Sequence, residues 1–212
     1  MMRVLRNFWR NERGSVPIEG VYGALLLLGW YIIAFQFYDA FRSRSVALRA
    51  SYTVGDLLSR ERDAIGPTYV KGLKKVFDFI SDAPNANYTW LRVTLISCTA
   101  TQSDTRSCDG STKQFTLDAS YAAYPAGGTT VQKHTQTTIN AERSRIPVMG
   151  AGDMAAIVET SFSYWPIFAI GDLALTLDGE NWTSQGLSSK LRFSNFVVTR
   201  PRGPRIVWNN AK

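Results

Sequence analysis

The longest apolar run in the chain extends from Val16 to Tyr38, VPIEGVYGALLLLGWYIIAFQFY. As a helix, about 23 residues rise roughly 34 Å, enough to cross a hydrocarbon core of about 30 Å with modest tilt. Tyr22 and Tyr38 lie nearer its two ends, where amphipathic rings favour the membrane–water interface. From Asp39 to Arg62 the apolar positions thin out to Phe41, Val46, Leu48, Tyr52, Leu57 and Leu58 among Arg, Ser and Asp. Their spacing predicts an imperfect stripe on a continuing helix that Gly66-Pro67 stops. Such a stripe packs on the chain's own head domain, on other subunits, or on both. A second helix opens at Thr68, where Leu73, Val76, Phe77 and Ile80 recur at helical spacing until Pro84 and Asn85 end it.

Beyond Tyr88 the period becomes two. TWLRVTLISC alternates around Leu91, Val93 and Leu95, which predicts a half-buried strand. Phe115-Thr116-Leu117 reads as a returning strand, with residues 120–140, rich in Ala, Gly, Thr and Gln, as an irregular surface excursion. A helical turn over Asn140–Arg145 and strands over Ala155–Tyr164, Leu173–Leu177 and Leu191–Thr199 complete the pattern. The expected fold is α+β: a long N-terminal helix carrying a small antiparallel-sheet head. Residues 1–14 would be a basic leader, 15–38 a transmembrane helix, 39–66 a helical stalk and 67–212 the extracytoplasmic head.

Composition refines this picture. With 45% hydrophobic and 19% charged residues the chain is neither disordered nor multi-span, and 212 residues suit one anchor plus one head. The net charge of +7 is uneven. Arg3, Arg6, Arg10 and Arg13, against Glu12, concentrate positive charge in the leader, and the remaining charges are scattered. No basic stripe interleaved with aromatics is visible, so nucleic acid is not an expected partner. The leader arginines favour a cytoplasmic N-terminus and place the head outside the inner membrane; Arg42 and Arg44 oppose this, but a long domain follows them. A cleavable secretory signal would need small residues paired after the apolar core, and Ala34–Ala40 supplies none.

Cys98 and Cys108 frame the polar segment TATQSDTRS. An even count in a short extracytoplasmic chain reads as a disulfide, which could staple a hairpin and stabilise the fold by roughly 2–3 kcal/mol in the chain-entropy model. Free thiols in a reducing compartment are the alternative. With a single histidine and no CxxC, neither metal nor cofactor is expected.

Glu19 is anomalous for a plain anchor, because a carboxylate inside the apolar run is expensive. It could snorkel at headgroup depth. Alternatively, cleavage after Gly14 would make Ser15 a new α-ammonium one helical turn from Glu19, and the two charges could pair.

The arrangement of basic leader, Gly14, four residues and then Glu19 resembles the prepilin processing site of type IVb and Flp-type pilins. RNERGSVPIEGVYGALLLL is similar to the start of a TadE/TadF-type minor pilin (pseudopilin) of the tight-adherence system. Gly20 stands where the major pilin pattern often has Tyr, and Pro17 is tolerated in a first helical turn. RASYTVGDLLSRE resembles the helix extension of that family, SFSYWPIFAI its strand with a Pro-aromatic turn, and FVVTRPRGPRIVW its closing strand. The resemblance implies a structural role in pilus assembly. It implies as partners a prepilin peptidase, other minor and major pilins, an inner-membrane pilus assembly platform, and membrane lipid.

No catalytic constellation is evident. His134, in VQKHTQTT, reads as a solvated loop residue, and Gly150-Ala151-Gly152-Asp153 lacks the context of a phosphate loop. Asp172, Asp178 and Glu180 read as turn residues beside Gly179 and Trp182. The competing readings are an uncleaved, membrane-anchored periplasmic binding or sensor domain, and an exported hydrolase, which would require a clustered nucleophile and base.

Overall fold

A computed structural model describes residues 15–83, 88–99, 107–108, 115–125, 130–166, 175–177, 180–182 and 191–212. The architecture is α+β. Helix α1 (Ser15–Arg60) is continuous over 46 residues, about 69 Å at 1.5 Å per residue. Pro17 sits in its first turn, and no later proline interrupts the hydrogen-bond ladder before Arg60. The helix ends six residues before Gly66, earlier than Gly66-Pro67 alone implies. Glu61 accepts the backbone N–H groups of Arg62 and Asp63 at 3.0 and 3.1 Å and turns the chain there. Helix α2 (Pro67–Ile80) then runs back along α1, with proline at its start.

The main sheet has strand order β3-β1-β5-β8, formed by β1 (Trp90–Cys98), β3 (Phe115–Ala123), β5 (Met154–Ser163) and β8 (Arg192–Thr199), all pairs antiparallel. Two-residue strands β2 (Ser107–Cys108) and β4 (Met149–Gly150) pair beside it, and β6 (Leu175–Leu177) pairs with β7 (Glu180–Trp182). A short helix α3 (Gln136–Glu142) continues into a 3₁₀ turn at Arg143–Arg145. The supposed surface excursion over 120–140 is therefore structured at both ends: β3 runs to Ala123 and α3 starts at Gln136. The Pro-aromatic turn is described only as far as Pro166; residues 167–170 lie outside the described chain.

The inner face of the sheet carries Leu91, Val93, Leu95, Ala156, Val158, Phe162 and Val197. On it lie α1, against β5 and β8, and α2, against β1 and β3. The second half of α1 is thus no free stalk: residues 36–58 share one core with the head.

The face of α1 in that core is not the expected stripe. Of Phe41, Val46, Leu48, Tyr52, Leu57 and Leu58, only Leu58 is fully buried. The sheet is met by Gln36, Ala40, Ala47, Ala50, Ser51, Val54 and Leu58. Small side chains let helix and sheet approach closely, and a Cβ on Gly55 would already lie 3.3 Å from Val197 Cγ1. Within this contact the Ser51 and Thr160 hydroxyls are 2.7 Å apart, and Asn195 Nδ2 donates to Ser51 Oγ at 3.1 Å. A slip of one helical turn would leave these buried groups unpaired. The tail closes the unit: Ile65 forms a parallel bridge with Trp208, Arg202 N–H donates to the Ser59 carbonyl at 2.8 Å, and Asn209 N–H to the Ile65 carbonyl at 2.8 Å.

The Cys98–Cys108 disulfide is present, with S–S 2.03 Å. It does not staple the β1–β3 hairpin as such. Cys98 stands opposite Phe115, whereas β2, which carries Cys108, pairs with β4. The bond ties the end of β1 to β2, which lies against Met149–Gly150.

Overpacking the helix–sheet contact tests this arrangement. Ala50→Leu is expected to destabilise the full chain by about 1–3 kcal/mol, whereas Thr53→Leu on the exposed flank of α1 changes stability by under about 0.5 kcal/mol. Thermal unfolding in detergent micelles measures both.

Candidate functional site

Helix α1 has two unlike faces, and the difference follows from side-chain size. From Ile18 to Phe35 no described element of the head covers it, and its most apolar 18-residue window has no buried residue. This segment is long and apolar enough to cross a membrane, and it has the composition of an anchor or a signal sequence. Beyond it, large apolar residues remain uncovered although the head is present. Leu26, Phe37 and Leu48 recur at intervals of eleven residues, as do Trp30, Phe41 and Tyr52. Eleven residues are close to three helical turns, so the six lie along one strip that starts in the apolar run and continues beside the head. Phe41 is 65% exposed and Tyr52 59%, so of the two packings open to the stripe, the head does not supply the cover at these positions. The strip borders an apolar notch of about 170 Å³ between α1 and β8, lined by Phe37, Phe41, Leu191 and Phe193.

At the start of the helix, Ser15 is the first helical residue and Glu19 lies one turn on, exposed. Among the described residues Glu19 has no ion-pair partner. Gly14 and the leader residues Arg3, Arg6, Arg10 and Arg13 lie outside the described residues.

His134 corrects the sequence reading: it is buried, 6% exposed, rather than solvated. Thr135 caps α3 and forms a reciprocal capping box with Thr138, which turns the preceding residue toward the sheet. Backbone N–H of His134 donates to Ser120 Oγ at 2.9 Å, its Nδ1 lies 2.8 Å from Thr138 Oγ1, and its Nε2 lies 2.7 Å from Glu159 Oε2. Opposite Glu159 in the β1–β5 register stands Arg92, which donates through Nε and a terminal nitrogen to the two carboxylate oxygens at 2.7 and 2.8 Å. Arg92 also donates to the Gln132 carbonyl at 2.8 Å. The cluster pins residues 130–145 over the outer face of the sheet, beside a second apolar core of Ile96, Phe115, Ile139, Met149 and Ile157.

Thr138, His134 and Glu159 form a hydroxyl–imidazole–carboxylate chain, the order of parts in a hydrolytic triad. The electrostatics differ from one. Arg92 holds both carboxylate oxygens of Glu159, and the Thr138 hydroxyl donates to the Thr135 carbonyl at 2.9 Å. The arrangement fits a structural pin. No group of three metal-ligating side chains occurs among the described residues. The side chains of Asp172, Asp178 and Glu180 lie outside them.

Burial alone would raise the Glu159 pKa, but hydrogen bonds from His134 and Arg92, and their charges, outweigh it and hold the carboxyl at about 2, against an ordinary value of 4.5. A depressed carboxyl pKa stabilises the fold above pH 4.5, and that contribution fades as pH falls toward 2. In acid titration of unfolding the chain is therefore expected to lose stability across that window. Glu159→Gln should flatten the loss and lower stability at pH 7 by roughly 3–5 kcal/mol, because Arg92 is left buried without its counter-charge.

At the base of the head, Tyr164 donates to Asp39 at 2.9 Å. Burial, and then the Asp39 carboxylate, push the Tyr164 pKa well above its usual value, so the hydroxyl stays a donor. Asp39 is thereby fixed at the point where the apolar run ends.

Compared with protein-family models, with curated proteins and with solved structures, the chain matches none.

Proposed function

We propose that this protein is a minor pilin (pseudopilin) of a tight-adherence, type IV-like pilus. It is made with a basic leader that a prepilin peptidase removes after Gly14, and it assembles with related subunits through α1. It serves as the peptidase's substrate and as a structural subunit rather than as an enzyme. The head lies on the extracytoplasmic side of the inner membrane.

The observation that carries this reading is the division of labour on α1. A plain tether would bury its large apolar residues wherever the head offers cover. Here the head takes the alanine and serine face, and the strip from Leu26 to Tyr52 remains open both within the apolar run and beside the head. An unbroken apolar strip that runs past the end of the apolar run suits a helix that packs against other helices, in the bilayer first and in a bundle after extraction. Glu19 supports the same reading. Once the chain begins at Ser15, its α-ammonium and the Glu19 carboxylate lie one turn apart and can neutralise each other within such a bundle.

Intact mass of the chain recovered from membranes tests the processing step. A mature protein beginning at Ser15 is expected; a chain retaining Met1 or Met2 contradicts the proposal and favours an uncleaved sensor or binding domain. Glu19→Ala should still lose its leader, but co-purification with other pilin subunits should fall at least tenfold. Assembly at the unaltered level would exclude the ammonium–carboxylate pairing.

A further inference from the structure

Where α1 leaves the apolar run, a half-open cleft of about 440 Å³ lies between α1, the end of α2 and the end of β5. It is the flank of α1 away from the apolar strip. The volume falls within the roughly 300–1,000 Å³ typical of small-molecule sites. Its lining carries both signs of charge. Asp39, Arg42 and Ser43 line it from α1, and Asp82 and the carboxyl-terminal end of α2 at Ile80-Ser81, whose helix dipole is negative, line it from α2. Trp165, just past β5, lines it as well. Trp165 is 48% exposed and packs against Tyr88, ring centroids 5.5 Å apart.

Depth along α1 supplies a second observation. The apolar run ends at Tyr38, and Asp39 to Ser43 extend about 6 Å beyond it at 1.5 Å per residue. That interval matches the headgroup layer, roughly 5–7 Å thick on each side of the hydrocarbon core. An aromatic pair at this level is the residue type that the interface favours. Among the described residues Arg42 has no ion-pair partner, and Asp39 makes one hydrogen bond, from Tyr164 through Oδ2. A cation and a carboxylate therefore face one cleft with charge to spare.

We propose that this cleft binds the headgroup of an amine-bearing, zwitterionic phospholipid of the bilayer, its phosphate on Arg42 and Ser43 and its ammonium on Asp39, Asp82 and the α2 terminus. The inference rests on the reading of α1 as a membrane anchor. A primary ammonium can donate hydrogen bonds to these acceptors, whereas a quaternary ammonium cannot. A glycerol headgroup leaves Asp39 and Asp82 without a counter-charge from the ligand. Bound in this way, the lipid would orient the head relative to the bilayer at the point where α1 emerges.

Native mass spectrometry of the full chain, released from bilayers of equal parts phosphatidylethanolamine, phosphatidylcholine and phosphatidylglycerol, tests the site. One phosphatidylethanolamine per chain is expected, enriched at least tenfold over phosphatidylcholine. Arg42→Gln and the pair Asp39→Asn with Asp82→Asn should each abolish the enrichment without lowering the unfolding temperature. Asparagine still accepts the Tyr164 hydroxyl, and it tolerates the positive φ of 49° at position 82. Soluble phosphoethanolamine at millimolar concentration should not displace the lipid, since the acyl chains hold the headgroup at the cleft. Equal retention of the three lipids, or enrichment that survives the substitutions, overturns the site while leaving the anchor intact. Displacement by phosphoethanolamine would identify a soluble ligand instead. Failure of the chain to fractionate with bilayers would overturn the anchor as well as the site.

Discussion

The close approach of α1 to the sheet governs what the rest of the molecule can do. Ala40, Ala47, Ala50 and Ser51 set the spacing, with Gly55 in near contact with Val197, and the Ser51–Thr160–Asn195 hydrogen bonds hold the helix in one register. A face of small residues has room only for the sheet, so bulky apolar residues on the same helix are forced to the flank. The helix that anchors the core therefore keeps an apolar strip outside it. Burying the larger side chains inward would have stabilised an isolated head more. It would also have left α1 with nothing to offer another helix.

A second constraint acts on the far face of the sheet. Arg92 and Glu159 face each other across β1 and β5, and His134 closes the cluster from the segment above. Together with the disulfide at the opposite end of β1, they tie His134 and β2 to a small sheet that α1 and α2 cover on one side only. Both features stiffen the head. Neither reaches the strip on α1 or the cleft at its base.

Much of this was legible in the sequence, and the failures are informative. The apolar run, the break near Gly66-Pro67, the change of period after Tyr88 and five of the strands all follow from local pattern. Which face of α1 meets the sheet is not legible from the apolar stripe, because hydrophobicity marks where large apolar residues lie, not which face a neighbour can approach. Ala40, Ala47 and Ala50 carry little hydrophobic signal yet form the contact. His134 was misread because its burial depends on a carboxylate 25 residues away and on the β1–β5 register, which no local window contains. The Thr135–Thr138 capping box was the one local sign that His134 borders a helix. The cleft at the base of the head draws on α1, α2 and β5 and has no sequence signature.

The central claim is that the strip on α1 is a helix–helix interface rather than residual exposed surface. Site-directed photocrosslinking in intact membranes tests it most directly, with a photoreactive residue at Leu48 or Tyr52 and a control at Thr53. Adducts to a second helix-bearing subunit are expected from the two strip positions and not from Thr53. No adduct at Leu48 or Tyr52, or equal yield at Thr53, would contradict the account.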